Sequence, residues 1–245
     1  MNRKISTDGL IHDSKQRAIR IELKKQRLLS WLVDFTWTTP AIAGEVMGLS
    51  SRGSIDKSLR QFEKLGLIKS ASLELVYERD LRIIGITPNG LLWCDGRDDA
   101  LDKTTFEPSR VALSTANHRL DVQKCRLKVK EFEELRWTAE NNYPKLLQYR
   151  PDAIITTPTN SIALELERTA KTRKRYQQII VQHLKQVNQG AYDQVHYVST
   201  IDGFAERLEH LFFSITKVPV KGQQVMFSDE LKQRFKFYNL KDWTI

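Results

Sequence analysis

The sequence predicts an α/β chain of the α+β kind in two parts: a helical part ending in two strands, then a part in which helices flank a sheet. Three observations carry this. Apolar residues recur at helical spacing from about residue 21 to residue 66, after which β-branched runs take over. The stretch "CDGRDDALDKTTFEPS" is polar and turn-rich and carries Gly96 and Pro108, so it divides residues 1–95 from residues 109–245 with a linker of 96–108 between them. Beyond it the order becomes helix, three strands, helix, strand, helix, with no internal repeat or low-complexity tract.

In the first part, "IELKKQRLLSWLVDF" gathers Leu23, Leu28, Leu29, Leu32 and Val33 largely on one helical face. Thr39-Pro40 starts a short helix through Val46, because proline suits a first helical turn, and Gly48 ends it. "SSRGSIDKSLRQFEKLGLI" opens a third helix with Ser54 as its cap. Next, "LIKSASLELVYERDLRIIGITPNGLLW" sets apolar and β-branched residues on both sides of a polar hinge, Glu78-Arg79-Asp80, which predicts two paired strands before "ITPNGLLW" returns to helix. Leu65-Gly66-Leu67-Ile68 and Ile86-Thr87-Pro88-Asn89-Gly90 resemble the ending of winged-helix domains, over about the first 95 residues. That resemblance implies a third helix that enters the DNA major groove, presenting Arg52, Ser54, Lys57, Ser58, Arg60 and Gln61. A winged helix used only for protein contacts is the alternative.

In the second part, "RVALSTANHRLDVQKCRLKVKEFEELRW" reads as one long helix, with Ser114 or Thr115 a cap or kink. "LRWTAENN", "RPDAIITTP" and "SIALELER" are short β-prone runs, and "TPTN" joins the last two as a hairpin. A helix from Thr169 to about Asn188, the strand "QVHYVST" and a helix from about Asp202 follow. Val225-Met226-Phe227 adds a strand, and the remaining C-terminal residues form a covering helix.

The chemistry concentrates on the hairpin. Side chains alternate along a strand, so Ala163, Glu165 and Glu167 share one face and Leu164 and Leu166 the other. Asp152, at the start of the neighbouring strand, approaches Glu165 across the pair. Three such carboxylates repel by several kcal/mol unless protonated or neutralised. A divalent cation is the natural neutraliser, and oxygen-only ligands suit Mg²⁺ or Mn²⁺, which polarise phosphates and acidify water. From Arg168 to Lys185 the chain carries Arg168, Lys171, Arg173, Lys174, Arg175 and Lys185 without one Asp or Glu, a surface that attracts phosphates.

Pro151-Asp152 and Glu165-Leu166-Glu167, in the order helix, three strands, helix, strand, resemble the PD-(D/E)xK nuclease superfamily from about Arg110 onward. The resemblance implies a restriction-endonuclease-like core with a mixed sheet flanked by helices, and Asp152, Glu165 and Glu167 as catalytic metal ligands. Glu167 stands where the family lysine is expected; Lys171 or Lys174 on the next helix is the replacement. Asp121 would add a carboxylate and His118 an acid or base, against the plainer reading of a polar helix position and a core histidine. A winged helix followed by this core resembles the MOBC-type plasmid mobilisation relaxases, also through "HRLDVQK", "RPDAII" and "ALELERTAKTRKRY". That implies site- and strand-specific nicking of double-stranded and locally melted plasmid DNA at a transfer origin, with an accessory mobilisation protein and a type IV coupling protein as partners.

Composition bounds these expectations. Net charge is +9, from 39 Lys and Arg against 30 Asp and Glu, which favours a nucleic-acid partner. There is no run of 18 apolar residues, no lipidation signal and no signal-peptide core at the N-terminus, so a cytoplasmic protein without membrane insertion is expected. Cys94 and Cys125 are far apart, which points away from a disulfide framework or zinc cluster. His12, His118, His183, His196 and His210 contain no His-x-His pair, which disfavours a histidine-held metal serving a tyrosine nucleophile and favours an activated water. A non-catalytic DNA-binding plasmid regulator and a nuclease cutting both strands remain the rivals.

Overall fold

The computed structural model describes residues 13–74, 80–94, 103–129, 135–139, 143 and 149–245. The chain forms two compact units, Met1–Leu113 and Ser114–Ile245. Among the described residues it is a mixed α/β protein of eight α-helices, a five-stranded mixed sheet and two small antiparallel sheets.

In the first unit, α1 (Ser14–Phe35) begins at Asp13, whose side chain accepts from Lys15 N, and buries Leu28, Leu29, Leu32 and Val33. α2 (Pro40–Val46) is capped by Thr39 and starts on proline. α3 (Arg52–Lys64) is capped by Ser51, not by Ser54: Ser51 has the extended backbone a cap requires, and its hydroxyl accepts from Ser54 N at 3.3 Å. Strands β2 (Ile68–Leu73) and β3 (Leu81–Ile86) pair antiparallel as expected, while Glu78 and Arg79 of their hinge lie outside the described residues. A two-residue strand, β1 (Trp37–Thr38), extends the sheet on the far side of β3, an addition too short to have a sequence period. α4 (Pro88–Trp93) starts at Thr87. These elements close on a core that includes Leu28, Leu32, Leu59, Phe62, Ile84 and Ile86.

Part of the stretch read as a linker is attached to this unit. Phe106 is buried, and its N–H donates to Ile86 O at 2.9 Å. Gly85 makes room for it, since a Cβ there would stand 2.1 Å from the Phe106 ring. Residues 95–102 of the same stretch lie outside the described residues.

The second unit opens with α5 (Leu113–Lys128). It begins later than the sequence suggests, because Pro108–Arg110 form a separate 3-10 turn and Val111 is extended; Ser114 and Thr115 fall inside its first turn. Strands β4 (Arg136–Ala139), β5 (Ala153–Thr156) and β6 (Ser161–Leu166) form an antiparallel meander, with Thr157 N donating to Asn160 O across the hairpin turn. α6 (Arg173–Asn188), capped by Thr172, starts four residues beyond Thr169, the first expected helical residue. It returns the chain to β7 (Gln194–Ser199), parallel to β6, a connection that needs such a helical crossover.

After α7 (Phe204–Phe213), β8 (Lys217–Val220) and β9 (Gln223–Met226) form a separate hairpin that includes Val225 and Met226. The expected C-terminal covering helix is absent among the described residues. A single turn, α8 (Asp229–Lys232), precedes β10 (Phe235–Asn239), which adds to the main sheet parallel to β7. The alternation of Phe235 and Phe237 explains this: Phe235 contacts Phe212 and Phe227, and Phe237 stacks on Tyr197 with centroids 5.5 Å apart. The sheet order is β10-β7-β6-β5-β4. No described helix is long and apolar enough to cross a membrane.

Candidate active site

Register brings the first two carboxylates together. Ala153 pairs with Leu164 and Asp152 N donates to Leu164 O at 3.0 Å, so Asp152 falls opposite Glu165. Ala163 on the same strand belongs to the core covered by α6, and alternation turns Glu165 toward that side. Asp152 is held at both oxygens: Oδ2 accepts from Leu166 N at 2.7 Å, and Oδ1 lies 2.8 Å from His118 Nε2 on α5. Glu167 lies just past β6, where its N–H donates to Val198 O, and only 6% of it is exposed. Lys171 donates to Glu167 Oε2, and its backbone N–H donates to the buried Tyr176 hydroxyl at 3.0 Å. Lys171 therefore sits in the connection before α6 rather than on the helix.

Burial sets the electrostatics. It raises the Glu165 carboxyl well above the usual carboxylate range, and the charge of Asp152 raises it further, against Lys171 and a hydrogen bond from Tyr149. Burial also raises Glu167, with Lys171 opposing. His118 is raised by its hydrogen bond to Asp152 in spite of partial burial. His183, on α6, is fully buried, and burial lowers it to about 3, so it is neutral. Its Nε2 stands 3.4 Å from Glu165 Oε1, and neither of these buried atoms has a hydrogen-bond partner among the described residues.

Asp121, expected as one more metal carboxylate, is placed otherwise. It is 1% exposed; Oδ1 accepts from Lys124 Nζ at 2.8 Å, and Oδ2 accepts from Arg168 and from Thr200 Oγ1. A carboxylate taken out of water in this way needs these donors, which leaves Arg168 holding Asp121 rather than standing free for DNA. Arg173 is likewise engaged, donating to Ser214 O and Oγ. Lys174 and Arg175 are exposed in the first turn of α6, with Arg175 3.4 Å from Gln178 Oε1. In the first unit, Arg52, Lys57, Arg60 and Gln61 are exposed on α3, with Arg52 3.9 Å from Asp56.

The donor set has the character of a hard-cation site without being a closed cage. Among the described residues, no three His, Cys, Asp or Glu side chains form a group that could hold a metal ion. Asp152 and Glu165 are two adjacent carboxylates, one with a buried oxygen that has no partner among the described residues. That fits Mg²⁺ or Mn²⁺, which bind through one or two carboxylates and complete their shell with water and phosphate.

The sequence places Tyr149 and Tyr192 in or near the site region but does not show His183 or Tyr197 beside Glu165. Tyr149, Tyr192 and Tyr197 wall His183, at ring-centroid separations of 4.7, 5.9 and 6.2 Å. The available signal was spacing: Tyr176, His183 and the buried Ile179 and Ile180 repeat along one face of α6. Lys124 stands one helical turn beyond Asp121, a spacing legible in the sequence, whereas nothing there marks Thr200 or Arg168 as its partners. Comparison of the chain with protein-family models, with curated proteins and with solved structures finds no match.

Proposed function

We propose that the chain is a metal-dependent DNA endonuclease of the plasmid-mobilisation kind, a relaxase that nicks one strand at a transfer origin by hydrolysis. The observation that carries this is the placement of Asp152 against Glu165 at the ends of β5 and β6, beside the Glu167–Lys171 pair. The antiparallel meander followed by a helix and a parallel strand supports a PD-(D/E)xK nuclease core. Helices α1 to α3 with the β2–β3 pair support a winged helix, whose α3 offers Arg52, Lys57, Arg60 and Gln61 to a groove. An accessory protein and a type IV coupling protein belong to the same proposal and rest on the sequence resemblance alone.

Asp152 and Glu165 would hold Mg²⁺ or Mn²⁺. When bound, the ion supplies Lewis acidity to the phosphodiester and acidifies water. Lys171, held by Glu167, presents a fixed positive charge where charge builds on the phosphoryl oxygens. In the hydrolysis the oxygen of water bonds to phosphorus, one P–O ester bond breaks, and a proton reaches the departing sugar oxygen. A covalent tyrosine step is disfavoured, because Tyr176 and Tyr192 are buried and Tyr149 is half-buried against Glu165 and His183.

A non-catalytic DNA-binding regulator is the second reading. It is favoured by one observation: His118 and Lys171 already pair with Asp152 and Glu167. The two readings separate on supercoiled plasmid carrying a candidate transfer origin, incubated with Mg²⁺, Mn²⁺ or EDTA. Nicking predicts metal-dependent open circles from the parent and none from Asp152→Ala. Intact plasmid in every condition, with DNA still bound, would select the regulator, and linear product would select paired double-strand cutting.

A further inference from the structure

We infer that His183 is a positioning residue that aims Glu165, with Tyr192 setting which ring nitrogen carries the hydrogen. This rests on the reading of Glu165 as a cation ligand. His183 Nδ1 lies 2.8 Å from the Tyr192 hydroxyl, and Nε2 lies 3.4 Å from Glu165 Oε1. The ring has no exposed surface and is walled by Tyr149, Tyr197 and Phe235, with centroids 4.7, 6.2 and 6.0 Å away. Its plane is therefore set by packing.

A neutral imidazole has one N–H and one lone pair, so the bond at one nitrogen decides the role of the other. Glu165 is ionised when it holds a cation, and if Nδ1 then donated to Tyr192, the Nε2 lone pair would confront a carboxylate oxygen inside the protein, two acceptors together without solvent. If Tyr192 donates to Nδ1, Nε2 carries an N–H that faces Glu165 Oε1 across 3.4 Å, a contact and not yet a formed hydrogen bond. The carboxylate selects the second arrangement. Tyr149 and His183 then approach Glu165 as two donors, and because a carboxylate offers about four lone-pair sites, positions remain for a cation. Groups behind a ligand commonly fix its direction in this way.

Two measurements on the full chain test this. With ¹⁵N-labelled histidine and saturating Mg²⁺, two-bond proton–nitrogen spectra should place the His183 hydrogen on Nε2, and Tyr192→Phe, which keeps the ring in the core, should populate both tautomers. In Mn²⁺ calorimetry, His183→Asn should weaken binding roughly 10-fold or more, whereas His183→Gln, which returns an amide donor near Nε2, should stay within about 3-fold of the parent. Tyr192→Phe should weaken Mn²⁺ by several-fold, and decides the question where the His183 variants unfold. A hydrogen on Nδ1 in the parent, or folded His183→Asn and Tyr192→Phe that bind Mn²⁺ as the parent does, would overturn the positioning role and leave the nuclease reading standing. A parent that binds no Mn²⁺ removes that reading and the role of His183 with it.

Discussion

Lys171 and Lys174 are three residues apart in one basic run, yet the structure gives them different surroundings. Both are exposed, but Lys171 is tied to Glu167 and, through its backbone, to Tyr176, whereas Lys174 stands in the first turn of α6. A fixed charge can stabilise a transition state without reorganising, and a solvated one cannot. Lys171→Ala should therefore lower the nicking rate roughly 100-fold with DNA affinity little changed, while Lys174→Ala costs little. Equal losses in single-turnover cleavage would mean that both act as general phosphate contacts. Asp152 and Glu165 were legible in the sequence because alternation and a four-residue turn fix their register. That Lys171 rather than Lys174 meets Glu167 was not, since it depends on where α6 begins, and Thr172 rather than Thr169 caps it. Two of the partners of Asp121 were hidden for another reason: Arg168 and Thr200 are 47 and 79 residues away from it in the chain.

Elements with a clear period were legible, and those set by long-range packing were not. α2, α4, β2, β3 and the β5–β6 hairpin fall where hydrophobic spacing and turn residues put them, while α1 starts at Ser14, seven residues before the apolar run that marked it. β10 was missed because its five residues follow a polar stretch and gain their stability from β7 and from aromatic contacts made by Phe212 and Tyr197. The attachment of residues near 106 was missed because a lone phenylalanine in a polar run has no periodic partner. Its partner is Gly85 on β3, where a Cβ would stand 2.1 Å from the ring. Phe106→Ala should destabilise the first unit by about 3–5 kcal/mol, and Gly85→Ala by about 1–3 kcal/mol through overpacking. In urea unfolding, Gly85→Ala introduced into Phe106→Ala should cost clearly less than in the parent, because the clash partner is gone. Strict additivity would show that the contact is not what Gly85 serves.

For the whole molecule, buried histidines and buried carboxylates pull stability in opposite directions with pH. Burial lowers His183 to about 3 and His196, with a contribution from Lys236, to about 4, against an unfolded value near 6.5. Between those limits the unfolded chain binds protons that the folded chain refuses, so this contribution is complete above pH 6.5 and drains away as pH falls toward 4 and 3. His118 has the other sign: raised by Asp152, it contributes fully below pH 6.5 and loses that contribution as pH rises through its folded value. Glu165 and Glu167, also raised, contribute below the ordinary carboxylate range and lose that contribution as pH rises through their folded values. The histidine pair should dominate the acid limb, since both rings are buried and His196 accepts from Trp243 Nε1 at 3.2 Å in a buried contact. Thermal unfolding of the metal-free protein should therefore give a Tm that rises from pH 4 to about 6.5. His196→Gln, which cannot titrate, should flatten that rise whatever it does to the absolute Tm, and His118→Gln should flatten the decline above pH 6.5 instead. A parent Tm that falls steadily from pH 4 to pH 8 would mean that the raised carboxylates, rather than the buried imidazoles, govern the folded state.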